Sequence, residues 1–268
     1  MLSGWPLPLL HNLGVLLGWL AFLGSPTYRR RFLSNAAQAG YGFATVRRAV
    51  AEAGKLLAET PRLWFGSMPR IHWEGAELVE AARAAGRGIV FLTPHLGCFE
   101  ITAQAYAARF GPITVLYRPA RKAWLRDLVD TSRTRPNLAA APTTLAGVRQ
   151  MLRALRAGEA VGLLPDQVPP QGLGAWAPFF GKDAYTMTLP ARLVQQTGAV
   201  LLLAVGERLG HGRGYCVRFL PWEGELDAEV QPAAAQVNAQ MERLVRAWPS
   251  QYLWGYARYK QPRTELAP

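Results

Sequence analysis

The run Gly88-Ile-Val-Phe-Leu-Thr-Pro-His-Leu-Gly-Cys-Phe-Glu100 carries the clearest structural signal in this chain, because an apolar segment turns there into a helical pattern. Residues 88–93 are rich in β-forming side chains and too few for a globular helix, so they predict a buried strand. Pro94 ends this strand, since proline cannot donate a hydrogen bond to the ladder. The helical pattern then runs from Gly97 to Arg109, until Gly111-Pro112 stops it.

Strand and helix patterns alternate along the rest of the chain. Strands are predicted at Gly88–Thr93, Ile113–Tyr117, Ala160–Leu164, Val200–Gly206 and Gly214–Leu220. Helices are predicted at Gly97–Arg109, Ala123–Arg133, Thr144–Ala157, Thr188–Gln196 and Pro232–Trp248, with two more between Ser34 and Phe65. This alternation is typical of an α/β fold with a largely parallel central sheet flanked by helices.

The N-terminal segment Leu7–Leu23 is mostly apolar, with tryptophans near its ends and the basic run Tyr28-Arg-Arg-Arg31 after it. Its length of about 17 residues is the lower limit for crossing a bilayer. A signal peptide is disfavoured, because the positive charges follow the apolar run. We therefore predict a membrane-anchoring helix with a basic, cytoplasmic flank in residues 1–31, spanning the bilayer or lying in its interface, and one domain in residues 32–268. The alternative is a buried amphipathic helix of that domain.

His95 and Glu100 are the candidate catalytic pair. Positions five apart on one helix point roughly 140° away from each other, so the side chains meet only if His95 lies before the helix and folds back. The flexible Gly97 would permit that. A histidine held by a carboxylate at the end of a parallel strand can serve as a general base for an alcohol. The spacing also fits a purely structural role, in which His95 caps the helix and Glu100 interacts with its dipole.

The segment His95-Leu-Gly-Cys-Phe-Glu100 resembles the HxxxxE/D box of glycerolipid and lysophospholipid acyltransferases. Four later blocks narrow the resemblance to the late acyltransferases of lipid A biosynthesis, of the lauroyl/myristoyl transferase type. They follow in that family's order: Tyr117-Arg-Pro119, Leu164-Pro-Asp-Gln167, Pro178-Phe-Phe-Gly181 and Gln251-Tyr-Leu-Trp254. The resemblance runs from about Trp64 to Lys260. It departs at Ala120-Arg-Lys-Ala-Trp124, where family members often carry Asn-Pro.

This resemblance implies an enzyme that moves a fatty acyl chain from acyl carrier protein to a hydroxyl of a phosphorylated glycolipid, the lipid A precursor. It also implies a place on the bacterial inner membrane, with the catalytic domain facing the cytoplasm. His95 would remove the hydroxyl proton and Glu100 would fix the orientation of the ring. No cofactor is expected, and the four histidines and two cysteines show no metal-ligand spacing.

The candidate substrate-binding residues follow predicted strands or lie in the later blocks. Arg118 could hold a phosphate or stabilise developing negative charge, or form a structural ion pair. Asp166, beside Gln167, could support the base, brace Arg118 or make structural hydrogen bonds. Backbone N–H groups at the start of the helix at Gly97 could meet an oxyanion. Phe180-Gly181 could line an acyl groove or pack in the core.

The net charge of +12 arises almost entirely from arginine, since only four residues are lysine. Such a charge suits nucleic acid, an anionic membrane or an acidic partner protein. The basic residues are dispersed and form no helix-turn-helix, RNP or zinc-finger pattern, so we expect no nucleic acid partner. A basic, membrane-associated nucleic-acid-binding protein is the alternative from another functional class. Within the enzyme class, a lysophospholipid or an aminolipid is the alternative acceptor.

Overall fold

The computed structural model of this chain describes residues 2–117 and 135–264. Arg118 and the predicted helix Ala123–Arg133 lie outside these residues. The described part has the predicted α/β fold, a mostly parallel seven-stranded sheet between two apolar cores.

The strands of the central sheet are β1 (Ile71–Glu74), β2 (Ile89–Leu92), β3 (Ile113–Tyr117), β4 (Leu138–Pro142), β5 (Ala160–Leu163), β8 (Val200–Arg208) and β9 (Tyr215–Pro221). Their order across the sheet is β1-β9-β8-β2-β5-β3-β4. Neighbouring strands are parallel, except that β8 and β9 are antiparallel. A separate antiparallel hairpin consists of β6 (Gly174–Phe179) and β7 (Lys182–Met187).

All five strands predicted from the sequence are present, with small shifts at their ends. Strands β2 and β5 are buried at every residue, as expected for central strands with both faces covered. The two edge strands, β1 and β4, and the β6–β7 hairpin were not predicted from the sequence. Strand β4 reads Leu-Ala-Ala-Ala-Pro, and alanine is depleted in strands, so pairing with β3 rather than propensity makes it extended.

The described α-helices are α1 (Leu7–Gly24), α2 (Pro26–Gln38), α3 (Phe43–Val46), α4 (Arg48–Phe65), α5 (Ala76–Ala84), α6 (Phe99–Arg109), α7 (Leu145–Arg156), α8 (Leu189–Thr197) and α9 (Val230–Ala247). Helices α6 to α9 confirm four predicted helices, and α3 and α4 lie in the segment Ser34–Phe65, where two helices were predicted. Helix α7 begins after Thr144, whose hydroxyl accepts a hydrogen bond from the Gly147 N–H. Helix α8 ends at Gly198, which adopts φ +64°.

Helices cover both faces of the sheet and enclose the two cores. Helices α5 and α6 pack on one face, with Phe91, Ile113 and Phe219 of the strands. Helices α7, α8 and α9 pack on the other face, with strand residues such as Val90 and Leu163. The carboxyl ends of β2, β3 and β5 therefore open at one edge between these two helix layers, where parallel α/β sheets place their sites.

Helix α1 has the length and composition of a membrane span, and about 33% of it is buried against the rest of the protein. It lies on α4 through a seam of glycines, where a Cβ on Gly18 would collide with the backbone of Val50, and one on Gly54 with that of Gly14. The predicted boundary at residue 31 falls inside α2. The N-terminal helix thus has one docked face.

The opposite face of α1 is exposed and apolar. Leu9, Leu16, Leu20 and Leu23 lie on one stripe of the helix and are all exposed. On the docked side, His11 is buried and its Nε2 lies 3.1 Å from Oε2 of Glu59 on α4. This polar contact fixes how α1 is rotated on α4, and it leaves the leucine stripe facing outward.

Candidate active site

His95 lies in the turn that leads from β2 into α6, as the sequence predicted. Gly97 in this turn adopts φ +58°, and a Cβ there would collide with the carbonyl oxygen of Gly206, so the position requires glycine. The Gly97 N–H donates to the Gln251 carbonyl oxygen at 2.9 Å, and the Cys98 N–H donates to that of Gly206 at 2.7 Å. These two N–H groups are therefore already used within the fold, and Gly97 shapes the turn.

The Gln251-Tyr-Leu-Trp254 block braces this turn. Leu96 forms a β-bridge with Tyr252. The Leu253 N–H also donates to the carbonyl oxygen of His95 at 3.0 Å. A segment far along the chain thus holds the backbone on both sides of the histidine.

His95 and Asp166 form the closest polar contact of the site. The His95 Nδ1 lies 2.7 Å from Asp166 Oδ1, and the His95 backbone N–H donates to Asp166 Oδ2 at 2.9 Å. The strand register explains the pairing. Leu92 on β2 lies beside Leu163 on β5. His95 comes three residues after Leu92, and Asp166 comes three residues after Leu163. Because β2 and β5 are parallel, both residues lie beyond the same edge of the sheet.

Asp166 is held as a buried carboxylate. Its side chain is only 2% exposed, against 18% for that of His95. Burial by itself would raise the pKa of the Asp166 carboxyl, but the charge and hydrogen bonds of His95, with the nearby Arg258, hold that pKa below its ordinary value. An ionised carboxylate only accepts hydrogen bonds, so it places the imidazole proton on Nδ1. In the neutral imidazole, the Nε2 atom of His95 then keeps its lone pair.

Gln167 lies on the other side of the ring. Its Nε2 is 2.9 Å from His95 Nε2, where an amide N–H can donate to the ring lone pair. Phe99 packs edge-on against the imidazole, with the ring centroids 4.8 Å apart. These contacts hold the imidazole ring of His95 in one orientation, through Asp166, Gln167 and Phe99.

Glu100 lies in the first turn of α6 and lines the same cavity as His95 and Gln167. The carboxylate on the ring Nδ1 is that of Asp166, while Glu100 lies where the helix dipole favours a negative charge. The structure therefore brings together four of the predicted site residues: His95, Glu100, Asp166 and Gln167. Arg118 lies outside the described residues.

Phe180 and Gly181 are not among the described residues that line this cavity. They form the turn between β6 and β7, where the Phe180 N–H donates to Glu242 Oε1 at 2.6 Å. The Phe180 ring is buried and packs near Trp254, at 6.3 Å between ring centroids. Phe180 thus packs in the core, which is the alternative the sequence left open, and an acyl groove at Phe180-Gly181 stays a prediction.

A cavity of about 700 Å³ opens beside His95, within the usual size range of ligand pockets. Its lining residues lie on both faces of the sheet, and we call the two parts of the cavity the α6 arm and the α8 arm. The α6 arm runs between α6 and the sheet and is lined by Phe91, Phe99, Ala103, Tyr106, Val115, Leu138 and Gly162. The α8 arm runs between α7, α8 and the start of the hairpin and is lined by Thr144, Val148, Leu173, Met187, Leu189, Arg192 and Leu193.

A buried ionic cluster that the sequence analysis missed supports the turn from below. Arg208 at the end of β8 donates to both carboxylate oxygens of Glu59, with Nη2 to Oε1 at 2.6 Å, and the Tyr215 hydroxyl donates to Oε2. The Arg208 N–H donates to the Gln251 side chain at 2.9 Å, and the Gln251 carbonyl holds Gly97. In the described part of the chain, no group of three or more His, Cys, Asp or Glu side chains is arranged to hold a metal ion.

Comparisons with known proteins identify the family of this chain. Residues 42–261 match the family described as bacterial lipid A biosynthesis acyltransferase. The lipid A biosynthesis lauroyltransferase of Escherichia coli K12 is 30% identical over 214 residues, covering 77% of this chain and 69% of the relative. The lipid A biosynthesis palmitoleoyltransferase of the same strain is 27% identical, covering 77% and 68%. Its myristoyltransferase is 26% identical, covering 79% and 65%. The chain therefore belongs to the bacterial lipid A biosynthesis acyltransferase family.

Proposed function

We propose that this protein transfers a fatty acyl chain from acyl carrier protein to a hydroxyl of a phosphorylated lipid A precursor. The observation that carries the proposal is the His95–Asp166 pair, which stands at the mouth of a largely apolar cavity. Family membership supports the acceptor class, and the net charge of +12 agrees with an acidic carrier and a phosphorylated acceptor.

His95 acts as the general base in this proposal. Its Nε2 takes the proton of the acceptor hydroxyl as the oxygen attacks the thioester carbonyl carbon, and the resulting imidazolium is stabilised by ionised Asp166. Collapse of the tetrahedral intermediate breaks the C–S bond, and the imidazolium returns its proton to the departing thiol. The Gln167 amide gives up its contact with Nε2 when the hydroxyl binds. No acyl-enzyme is needed, because the thioester is already activated.

The developing oxyanion needs hydrogen-bond donors near the thioester carbon. The first backbone N–H groups of α6, at Phe99 and Glu100, lie at the positive end of the helix dipole beside His95. We assign them this role because of that position on the helix dipole, and the Gly97 and Cys98 N–H groups hold the turn. Glu100 contributes to the charge balance of the same helix turn.

Arg118 follows β3, and we retain it as a candidate contact for the phosphate or the oxyanion. The planar guanidinium binds a phosphate through two hydrogen bonds, and lysine cannot reproduce this geometry. Arg118→Lys should therefore lose activity while keeping the charge. A raised KM for the lipid at normal kcat would indicate phosphate binding, and a lowered kcat at normal KM would indicate oxyanion stabilisation. Wild-type kinetics in this variant would remove Arg118 from the site.

We further propose that α1 lies in the interface of the bacterial inner membrane on its cytoplasmic side. Its leucine stripe faces outward while its other face is fixed to α4 by the glycine seam and His11. The basic run Arg29–Arg31 follows directly and suits anionic headgroups. This docked orientation favours an interfacial helix over a spanning one.

The test of the function is acyl transfer in membranes that carry the protein. Labelled acyl carrier protein and tetraacylated lipid A precursor are supplied, with a lysophospholipid in parallel, and products are identified by mass spectrometry. His95→Ala should reduce turnover by about 10²–10⁴-fold. His72→Ala, on the exposed side of edge strand β1, is the matched control and should leave turnover unchanged. Turnover by folded His95→Ala at the wild-type rate, or transfer only to the lysophospholipid, would contradict the proposal.

A further inference from the structure

Gly162 occupies an unusual place for a glycine, in the middle of the buried central strand β5. It pairs with Phe91 on β2 and with Val115 on β3. Glycine weakens a strand interior because it has no side chain to pack and loses more entropy on folding. A glycine at such a position indicates either a close approach of backbone or space used by a ligand.

Close approach of backbone does not explain Gly162. An added Cβ would meet only the side-chain atoms Val115 Cγ1 at 3.3 Å and Ile113 Cδ1 at 3.9 Å. At Gly88, Gly147 and Gly206, by contrast, an added Cβ would collide with a backbone carbonyl oxygen. The space above Gly162 is instead part of the α6 arm of the cavity.

The depth of Gly162 in the cavity follows from the strand register. It lies four residues before Asp166, and its partner Phe91 lies four residues before His95. At about 3.3 Å per extended residue, Gly162 lies at most about 13 Å from the level of the histidine, on the inner side of the sheet edge. A side chain at position 162 would thus meet the far end of a bound chain and leave the reacting thioester untouched.

The two arms of the cavity differ in how exposed their lining residues are to solvent. The α6 arm is walled by core residues such as Phe91 and Tyr106, which are buried in the structure. The wall of the α8 arm includes the exposed residues Thr144, Leu145 and Arg192, so that arm reaches solvent. A hydrocarbon chain gains most where buried apolar residues surround it, as they do at the inner end of the α6 arm.

We propose that the α6 arm holds the acyl chain of the donor and that the bare backbone at Gly162 sets the longest chain the enzyme accepts. This inference rests on the proposed acyl transfer and assigns the specificity of that same site. Side chains of increasing size at position 162 shorten the arm from its inner end. Valine is compatible with a central strand, so the variants should fold.

The experiment measures kcat/KM of wild type, Gly162→Ala and Gly162→Val with decanoyl, dodecanoyl, tetradecanoyl and hexadecanoyl acyl carrier protein. With the longest chain that wild type accepts, each excluded methylene should lower kcat/KM about fourfold, which corresponds to about 0.8 kcal/mol per CH₂. The shortest chain should react as fast as in wild type, because the reacting end is unaffected. With that longest chain, kcat/KM of Gly162→Ala should lie between the values of wild type and Gly162→Val.

Val148→Phe is the matched variant, since it adds bulk to the α8 arm. Its chain-length preference should equal that of wild type. A shortened preference in Val148→Phe with no shift in Gly162→Val would overturn the inference, as would an equal loss with every chain in a folded Gly162→Val. Failure of wild type to transfer any of the four chains would instead contradict the proposed function itself.

Discussion

Replacing Asp166 with asparagine removes one charge from the site and keeps the shape of the side chain. The asparagine Oδ1 can still accept the hydrogen bond from the His95 backbone N–H, which Asp166 Oδ2 accepts at 2.9 Å. Its NH₂ group then faces His95 Nδ1, the atom that lies 2.7 Å from Asp166 Oδ1. An NH₂ group only donates, so the imidazole proton must move to Nε2. A protonated Nε2 cannot accept the proton of a hydroxyl.

The size of the loss follows from these two contacts. A hydrogen bond to a charged group contributes about 1.5–3 kcal/mol, so losing the stabilised imidazolium costs about 10- to 150-fold. The change of tautomer adds to this loss, because most molecules of Asp166→Asn carry a proton on His95 Nε2 and so lack the general base. We expect kcat to fall by about 10²–10⁴-fold, equivalent to about 3–5 kcal/mol of transition-state stabilisation. The melting temperature should change little, since Asp166 is replaced by an isosteric residue.

The assay is single-turnover acyl transfer with saturating donor and acceptor, together with circular dichroism melting of each variant. Asp183→Asn is the matched control, because it makes the same chemical change on the exposed side of β7 and should leave kcat unchanged. If folded Asp166→Asn keeps kcat within about twofold of wild type, Asp166 does not set the tautomer of His95. The contact would then be structural.

Glu100→Ala should lower kcat less than Asp166→Asn does, and Glu100→Asp should retain part of the activity; earlier melting at unaltered turnover would limit Glu100 to its interaction with the helix dipole. Burial raises the pKa of Glu59, but Arg208 and His11 outweigh it and lower that pKa from 4.5 to about 2. Its stabilisation, about 3 kcal/mol at 1.36 kcal/mol per pKa unit, is present above pH 4.5 and should be lost in acid titration as the pH falls toward 2. Glu59→Gln should flatten that part of the titration and cost about 3–5 kcal/mol at neutral pH, because Arg208 loses its buried partner; unfolding curves that match the wild type would refute this. Leu16→Glu with Leu20→Glu should release the protein from vesicles with anionic lipids in a flotation assay, whereas a pair of variants that stays bound would show that the stripe is not the membrane contact.

The strand–turn–helix unit at His95 is encoded locally. The apolar run of β2, the strand-ending Pro94 and the turn glycine Gly97 lie within a few residues of each other, and each acts through its own backbone preference. The alternation of such units predicts the α/β class and the five strands that the structure confirms. The edge strands β1 and β4 carry weaker patterns, because pairing with a neighbour determines them more than propensity does.

The amino-acid order is enough to predict a histidine and carboxylates at the carboxyl ends of buried strands. The identity of the carboxylate on Nδ1 of His95, which is Asp166, emerges in the folded chain. That choice depends on the parallel register that sets Leu92 beside Leu163, and residues far apart in the chain carry no local signal of their register. The same holds for Gly162, which is an ordinary glycine in the sequence and becomes the floor of a cavity only when β2, β3 and α6 surround it. Local preferences fix where the elements begin and end, whereas the contacts between elements fix the chemistry.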